Sequence, residues 1–250
     1  MNKELRIKEL EIRWLVGEKY KGVRTTSAER DIKRLAAGEH IAYVIGYVEF
    51  LGVHIDLSFR PLIPRPETEY WAGRVIEELS QKGKLRCLDV FAGSGCIGVS
   101  LLKHLTDVSV DFADIESKCV SQIKRNLTLN EIQEGRGRVI QSDMLMAVSG
   151  TYDCIVANPP YCVRERIKPE VLSQEPRVAL LGGGDGMKYI RRLIRDAPRY
   201  LNPGGRLYLE FDSNQKNSIE DFVKISQFVS KEFFRDQYGR WRWARLVTSS

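Results

Sequence analysis

From residue 66 onward, short apolar runs alternate with segments whose apolar residues recur at helical spacing. Such alternation is typical of a parallel sheet with helices on both faces, because parallel neighbours need a long crossover connection. The predicted strands cover residues 86–91, 108–113, 138–141, 152–157 and 206–211, and the predicted helices cover residues 67–79, 96–105, 117–130, 187–200 and 218–229. The sequence therefore predicts an α/β, Rossmann-like fold with a mostly parallel sheet.

The two ends of the chain carry different patterns. Helical spacing predicts helices over residues 3–19 and 27–37, the second capped by Ser27 and ended by Gly38. Residues 41–59 predict a β-hairpin with strands Ile41 to Tyr47 and Phe50 to Leu57. At the carboxyl end, residues 233–247 alternate around a glycine turn, which predicts a hairpin whose final strand is an antiparallel edge of the sheet. We expect three units: a helical substrate-recognition region (1–40), a hairpin linker (41–64) and a catalytic domain (65–250).

Composition narrows the class of protein. No apolar run approaches the roughly 18 residues that a membrane span needs, and the first residues lack the apolar centre of a signal peptide. The five cysteines are scattered and the three histidines are isolated, so we expect reduced thiols, no metal site and a cytoplasmic location. The net charge of +6 is spread along the whole chain and is only a weak indication of acidic partners.

A polar motif, Asn158-Pro159-Pro160-Tyr161, follows the strand predicted at 152–157. Proline cannot continue a sheet, and it holds the preceding residue extended, so the chain must leave the sheet at Asn158 with a fixed direction. Open α/β sheets bind ligands at this end of their strands. The Asn158 side-chain oxygen and the Pro159 carbonyl can each accept a hydrogen bond from a planar NH2 group, and Tyr161 can lie against that group.

A cofactor pocket is predicted where the earlier strands end. Gly93 and Gly95 allow a ligand to approach the backbone closely at the start of a helix, and the Asp114 carboxylate can accept a hydrogen bond from each of two ribose hydroxyls. Asp143 and Met144 follow the third strand of this unit. Asp143 could accept a hydrogen bond from the amino group of an adenine, and Met144 could pack against the face of the adenine ring. The glycines and Asp114 also satisfy the dinucleotide-binding fingerprint. A dehydrogenase, however, does not need the rigid Asn-Pro-Pro-Tyr motif that follows the fourth strand and can bind an NH2 group, so this motif favours S-adenosylmethionine as the cofactor. The pattern itself thus gives Gly93, Gly95, Asp114, Asp143 and Met144 as candidate cofactor residues.

Together these residues resemble the HemK/PrmC protein-glutamine N5-methyltransferases. The resemblance covers roughly residues 40–250 and is carried by the Asn-Pro-Pro-Tyr motif, the run Pro64-Arg65-Pro66-Glu67-Thr68-Glu69, the hairpin segment from Gly46 to Phe50 and the segment Asp185-Gly186-Met187. It implies a class I S-adenosylmethionine-dependent methyltransferase fold. It further implies cofactor contacts from Phe91, Ala92, Gly93, Ser94, Gly95, Asp114, Met144 and Asn158. It also implies that the substrate is the Gly-Gly-Gln glutamine of a peptide chain release factor, held by Asn158, Pro159, Pro160 and Tyr161.

The chain departs from the family pattern at two places. Phe91 stands where the glycine-rich loop usually opens with glycine, so its side chain must point away from the cofactor or shield the methionine end of it. The region before the hairpin is shorter than in many relatives. We expect a monomer that needs neither a membrane nor direct contact with nucleic acid.

The expected chemistry is alignment of an amide nitrogen with a sulfonium methyl group. Three other readings stay open: a nucleic-acid N6-adenine methyltransferase, a ribosomal-protein glutamine methyltransferase and a non-catalytic binding module. The chain lacks a separate region long enough to read DNA, which disfavours the first. The intact Asn158 motif and Asp114 disfavour the last. The long segment 162–184 predicts a functional lid rather than a passive loop.

Overall fold

A computed structural model describes residues 3–250, with side chains from Glu9 onward. Three helices open the chain: α1 (Lys3–Tyr20), α2 (Thr26–Ala36) and α3 (Ile41–Ile45). They share an apolar cluster that contains Leu15 and Val44. The two helices predicted in this region are confirmed by α1 and α2. The predicted cap was wrong, because Thr25 rather than Ser27 caps α2: its side chain accepts a hydrogen bond from the amide of Ala28.

The prediction of a strand over Ile41–Tyr47 was wrong for most of its length. Residues Ile41–Ile45 form α3, and all five are buried. Gly46 ends this helix in the left-handed region, with a φ of 100°. A short apolar run buried on every side does not show whether it is helical or extended, which is why the sequence pattern failed here.

The predicted hairpin is present but shorter. It consists of β1 (Tyr47–Phe50) and β2 (Val53–Asp56), paired antiparallel. The amide of Leu51 in its turn donates to Glu69 at 2.7 Å, and the amides of His54 and Asp56 donate to the side chains of Asn130 and Asn126. The hairpin is therefore fastened to the helices of the sheet, and its apolar residues belong to the same core. The division of the chain at residues 40 and 64 stays a prediction.

The remaining chain folds as an α/β unit around one sheet of seven strands. The strands are β3 (Leu85–Val90), β4 (Val108–Asp114), β5 (Gly137–Gln141), β6 (Tyr152–Ala157), β7 (Leu201–Glu210), β8 (Phe228–Arg235) and β9 (Trp241–Thr248). Their order in the sheet is β5-β4-β3-β6-β7-β9-β8. The first five strands in this order run parallel, and β9 and β8 run antiparallel, which confirms the predicted fold class. The helices are α4 (Pro66–Leu79), α5 (Cys96–His104), α6 (Ser117–Leu129), α7 (Pro169–Gln174), α8 (Arg177–Leu180), α9 (Lys188–Asp196) and α10 (Lys216–Lys224).

The prediction that the final strand is the edge of the sheet was wrong, because β9 lies between β7 and β8 and the edge strand is β8. Three boundaries at the carboxyl end also differ from the predicted ones. The strand predicted from Arg206 begins at Leu201, and the helix predicted over 187–200 ends at Asp196 before a short 3-10 turn. The helix predicted near 218–229 ends at Lys224, because Phe228 already starts β8 and is buried.

The order of the strands places the functional ends together. The chain runs outward in one direction through β3, β4 and β5, and in the other direction through β6 and β7. The last residues of β3 and β6, Val90 and Ala157, are direct partners. The segments that follow them therefore leave the sheet side by side, at the switch point where open α/β sheets bind ligands.

Among residues 3–250, no helix is long and apolar enough to cross a bilayer. In the same part of the chain, no group of three or more His, Cys, Asp or Glu side chains lies together as metal ligands would. All five cysteines are free thiols, and four of them are buried.

Candidate cofactor and substrate site

A cavity of about 450 Å³ lies at the carboxyl ends of β3, β4, β5 and β6. It brings together most of the sequence-predicted site residues: Phe91, Ala92, Gly93, Ser94, Asp114, Asp143, Met144, Asn158 and Pro160. Gly95 caps α5 just behind this surface, and Pro159 is buried. Tyr161 lines a second cavity on the other side of the motif.

The loop after β3 turns sharply into α5. Phe91, Gly93 and Gly95 all have positive φ, at 61°, 56° and 79°. Phe91 therefore adopts the conformation that favours the glycine usually found there. Its ring lines the cavity and packs edge-on against Tyr189, with ring centroids 5.7 Å apart. The side chain thus forms part of the wall rather than blocking the glycine turn.

Asp114 ends β4 and holds the glycine loop. One carboxylate oxygen accepts from the amide of Gly93 at 2.8 Å, and the other accepts from the amide of Glu116 at 2.9 Å. Burial raises the pKa of Asp114, and these two backbone hydrogen bonds oppose the rise. Asp114 also lines the cavity, where a carboxylate can accept hydrogen bonds from a ribose diol.

The end of β5 carries the residues predicted to hold an adenine. Met144 is buried and has a φ of 54°, so the backbone turns back and sets its side chain in the wall. Asp143 forms an ion pair with Arg192 of α9, at 2.9 Å and 3.1 Å. Sequence reasoning missed Arg192, Lys188 and Tyr189 as lining residues, since a charged helix face carries no signal of a cavity beneath it.

Asn158 lies at the cavity wall where β6 ends. Its Nδ2 donates to the Thr68 hydroxyl at 3.2 Å, and Thr68 in turn donates to Glu210 at 2.7 Å. Glu210 also accepts from the Trp71 indole at 2.6 Å and from the Tyr161 hydroxyl at 2.8 Å. Burial raises the pKa of Glu210, and these three hydrogen bonds oppose the rise. Sequence reasoning missed Glu210, although a carboxylate between apolar residues near the end of a strand was a usable signal.

The segment from Cys162 to Gly184 forms one wall of the cavity. Cys162 and Leu181 pair as an isolated bridge, so the chain between them leaves and returns at one point. Glu175 forms an ion pair with Arg65 at 2.6 Å. The Gln174 side chain accepts a hydrogen bond from the backbone amide of His40 and donates one to the backbone carbonyl of Gly38. These contacts connect the segment to the start of α4 and to the amino-terminal helices. Its role as a lid stays a prediction.

Gly186→Ala should destabilise the fold around the motif by about 1–3 kcal/mol. Gly186 has a φ of 75°, and an added Cβ would collide with the Tyr161 carbonyl oxygen and the Gln215 side chain. Urea unfolding of the two proteins measures the difference. Gly184→Ala is the matched control, because nothing lies within 4 Å of a Cβ there. Equal losses in the two variants would contradict the close packing at Gly186.

Comparison with known proteins tests the predicted resemblance. A family model described as "Methyltransferase small domain" matches residues 73–179. The chain is 35% identical over 212 residues to the release factor glutamine methyltransferase of Streptococcus pneumoniae, across 83% of this chain and 75% of that protein. It is 33% identical over 229 residues to the same enzyme of Bacteroides thetaiotaomicron, across 89% of this chain and 80% of that protein.

Solved structures share the fold at lower identity. The ribosomal protein L11 methylase of Lactobacillus delbrueckii subsp. bulgaricus is 22% identical, with a TM-score of 0.58 across 77% of this chain and 83% of that one. The 16S rRNA N2 G1207 methyltransferase of T. thermophilus, solved with AdoMet and guanosine, is 18% identical, with a TM-score of 0.60 across 81% of this chain and 49% of that one. The likeness to these solved structures confirms the methyltransferase fold. Because the chain is 33–35% identical to the two relatives above over most of its length, it belongs to the family of release factor glutamine methyltransferases.

Proposed function

We propose that this protein transfers a methyl group from S-adenosylmethionine to the side-chain amide nitrogen (N5) of a protein glutamine, the Gly-Gly-Gln glutamine of a peptide chain release factor. The observation that carries the proposal is the position of the Asn158 carboxamide in the same cavity as the glycine loop and Asp114. Relatives named release factor glutamine methyltransferase, 31–35% identical, support the choice of substrate. The cytoplasm is the proposed location, since release factors act on ribosomes there, and a monomer is the proposed active form.

The residues present suit S-adenosylmethionine. Asp114 offers both carboxylate oxygens to a ribose, and Met144 with Ala113 and Ile97 offers apolar surface. Gly93 and Ser94, which precede the amino terminus of α5, line the same cavity. When bound, the cofactor supplies a methyl group already activated by its sulfonium charge. We assign Phe91 to Gly95, Asp114, Asp143 and Met144 to this ligand.

The task left to the protein is alignment of the nitrogen. An amide nitrogen is a poor nucleophile because its lone pair is delocalised into the carbonyl group. We assign the Asn158 side-chain oxygen and the Pro159 carbonyl to the two amide N–H groups, with Pro160 and Tyr161 completing the substrate-binding motif. Acceptors aimed at a nitrogen that gains positive charge stabilise the transition state more than the ground state. The product proton is acidic enough to leave to water, so no general base is required.

A methylation assay with labelled S-adenosylmethionine tests the proposal. Release factor, ribosomal proteins and DNA are offered in parallel, and mass spectrometry locates the modified residue. We expect label on the release factor glutamine alone. Label on DNA or on a ribosomal-protein glutamine would overturn the choice of substrate, and no label on any of them would overturn the activity.

Asp114→Asn is expected to weaken binding of S-adenosylhomocysteine by about 10- to 100-fold. The substitution removes the charge and turns one of two acceptors into a donor, opposite the Gly93 amide or the Glu116 amide. Titration calorimetry measures the affinity. Asp221→Asn on the exposed face of α10 is the matched control, with wild-type affinity expected. Wild-type affinity in the Asp114 variant would remove Asp114 from the cofactor site.

A further inference from the structure

Behind Asn158 lies a chain of side chains that are almost fully buried. The Trp71 Nε1 atom is 2.6 Å from Glu210 Oε2, and the Thr68 hydroxyl is 2.7 Å from the same oxygen. The Asn158 Nδ2 atom is 3.2 Å from the Thr68 hydroxyl. Trp71, Thr68 and Glu210 are each 2% exposed or less. Every polar atom in this chain must therefore find its partner within the protein.

The direction of each hydrogen bond follows from the donor at the far end. An indole N–H can only donate, so Glu210 Oε2 accepts from Trp71. The three donors around the Glu210 carboxylate and the positive charge of Arg242 favour its ionised form, in which Oε2 carries no proton. The Thr68 hydroxyl must then use its one proton to donate to Oε2. Toward Asn158 it can only accept. These directions are the same for either protonation state of the other carboxylate oxygen, Oε1, since the Tyr161 hydroxyl beside it can donate or accept.

One end of the Asn158 carboxamide is thereby selected. The NH2 group must face Thr68, and the side-chain oxygen is left for the cavity. An amide turned by about 180° would set its NH2 group against the NH2 group of the substrate and lose both hydrogen bonds. Because the amide oxygen accepts only, it also disfavours a carboxylate, which has no proton to offer.

We propose that Trp71, Glu210 and Thr68 are positioning residues that fix which end of Asn158 faces the substrate, and so select glutamine over glutamate; this inference rests on the proposed function. Rigid elements hold the three residues. Thr68 and Trp71 are three positions apart on one face of α4, and Glu210 is the last residue of β7, the strand next to β6. The proposal gives Thr68 a role that the helix start alone does not require.

The first test is a double-mutant cycle between Thr68 and Asn158. Thr68→Val removes the hydroxyl with little change in volume, and we expect kcat for methylation of the release factor to fall about tenfold. Thr68→Ser keeps the hydroxyl and should recover most of that loss. In an Asn158→Ala background, Thr68→Val should cost less than about twofold more, because Thr68 acts only through Asn158. Thr128→Val on the exposed face of α6 controls for the substitution itself.

A second readout does not depend on turnover. The side-chain NH2 signal of Asn158, assigned in the ¹⁵N spectrum by its loss in Asn158→Ala, should exchange slowly in the wild-type protein and in Thr68→Ser. It should exchange faster in Thr68→Val. If the wild-type enzyme leaves release factor unmethylated, the proposed function fails, and this spectrum still decides whether the network holds Asn158.

Three results would overturn the proposal. Wild-type kcat in Thr68→Val would show that the hydroxyl does not position Asn158. An equal loss from Thr68→Val in both backgrounds would show a general structural role. Equal exchange of the Asn158 amide in the wild-type protein and in Thr68→Val would show that the hydrogen bond is absent in solution.

Discussion

Asn158→Ala is expected to lower kcat for methyl transfer by about 30- to 1000-fold, which corresponds to about 2–4 kcal/mol of barrier. The side chain lies at the cavity wall, and its Nδ2 is held by Thr68, so its oxygen is oriented before the substrate arrives. An acceptor that needs no reorganisation stabilises charge on the nitrogen as it develops. Steady-state kinetics with release factor and labelled S-adenosylmethionine measures the loss.

Two further measurements separate chemistry from folding in this variant. The affinity for S-adenosylhomocysteine should fall much less than turnover does, because the loop from Phe91 to Gly95 and the Asp114 carboxylate are intact. Asn217→Ala, an exposed substitution in α10, should keep wild-type turnover and serves as the matched control. Full turnover by Asn158→Ala on a release factor would remove Asn158 from the catalytic role.

The sheet could be predicted from the sequence because its signals are local. Each parallel strand is a short apolar run, and each crossover is a helix with its own apolar face, so the period alone separates them. The position of β9 between β7 and β8 was not predictable. That order depends on pairing between segments far apart in the chain, such as Leu207 with Leu246, which no local pattern records.

The site divides in the same way. Glycine turns, Asp114 and Asn158 were predictable, because the carboxyl ends of parallel strands must meet at one edge of the sheet. The support behind Asn158 was not. Thr68 and Glu210 are 142 positions apart, and only the packing of α4 against β7 brings them together. A sequence indicates which side chains could react, but the residues that hold them in place depend on the tertiary contacts.

A second large effect concerns Asp89, which lies beneath the glycine loop in β3. One of its carboxylate oxygens accepts from the amide of Gly98 at 2.9 Å, and the other has no partner among the described residues. Burial raises the pKa of Asp89 to about 8, and the nearby Asp114 adds to the rise. In the unfolded chain an aspartate has a pKa of about 4. Over the interval between these values, the folded protein holds a proton that the unfolded chain releases.

The free energy of unfolding should therefore fall as the pH rises from about 5 to about 8, by on the order of 3 kcal/mol from Asp89 alone, and level off above the folded pKa. Asp89→Asn removes this titration but keeps an acceptor for Gly98, so its stability should lose that part of the pH dependence. Urea unfolding of the cofactor-free proteins across this range measures both slopes. The exposed Asp107→Asn should keep the wild-type slope. Parallel pH profiles for the wild-type and Asp89 variants would mean that Asp89 is already ionised in the folded protein, with the orphaned oxygen stabilised by water.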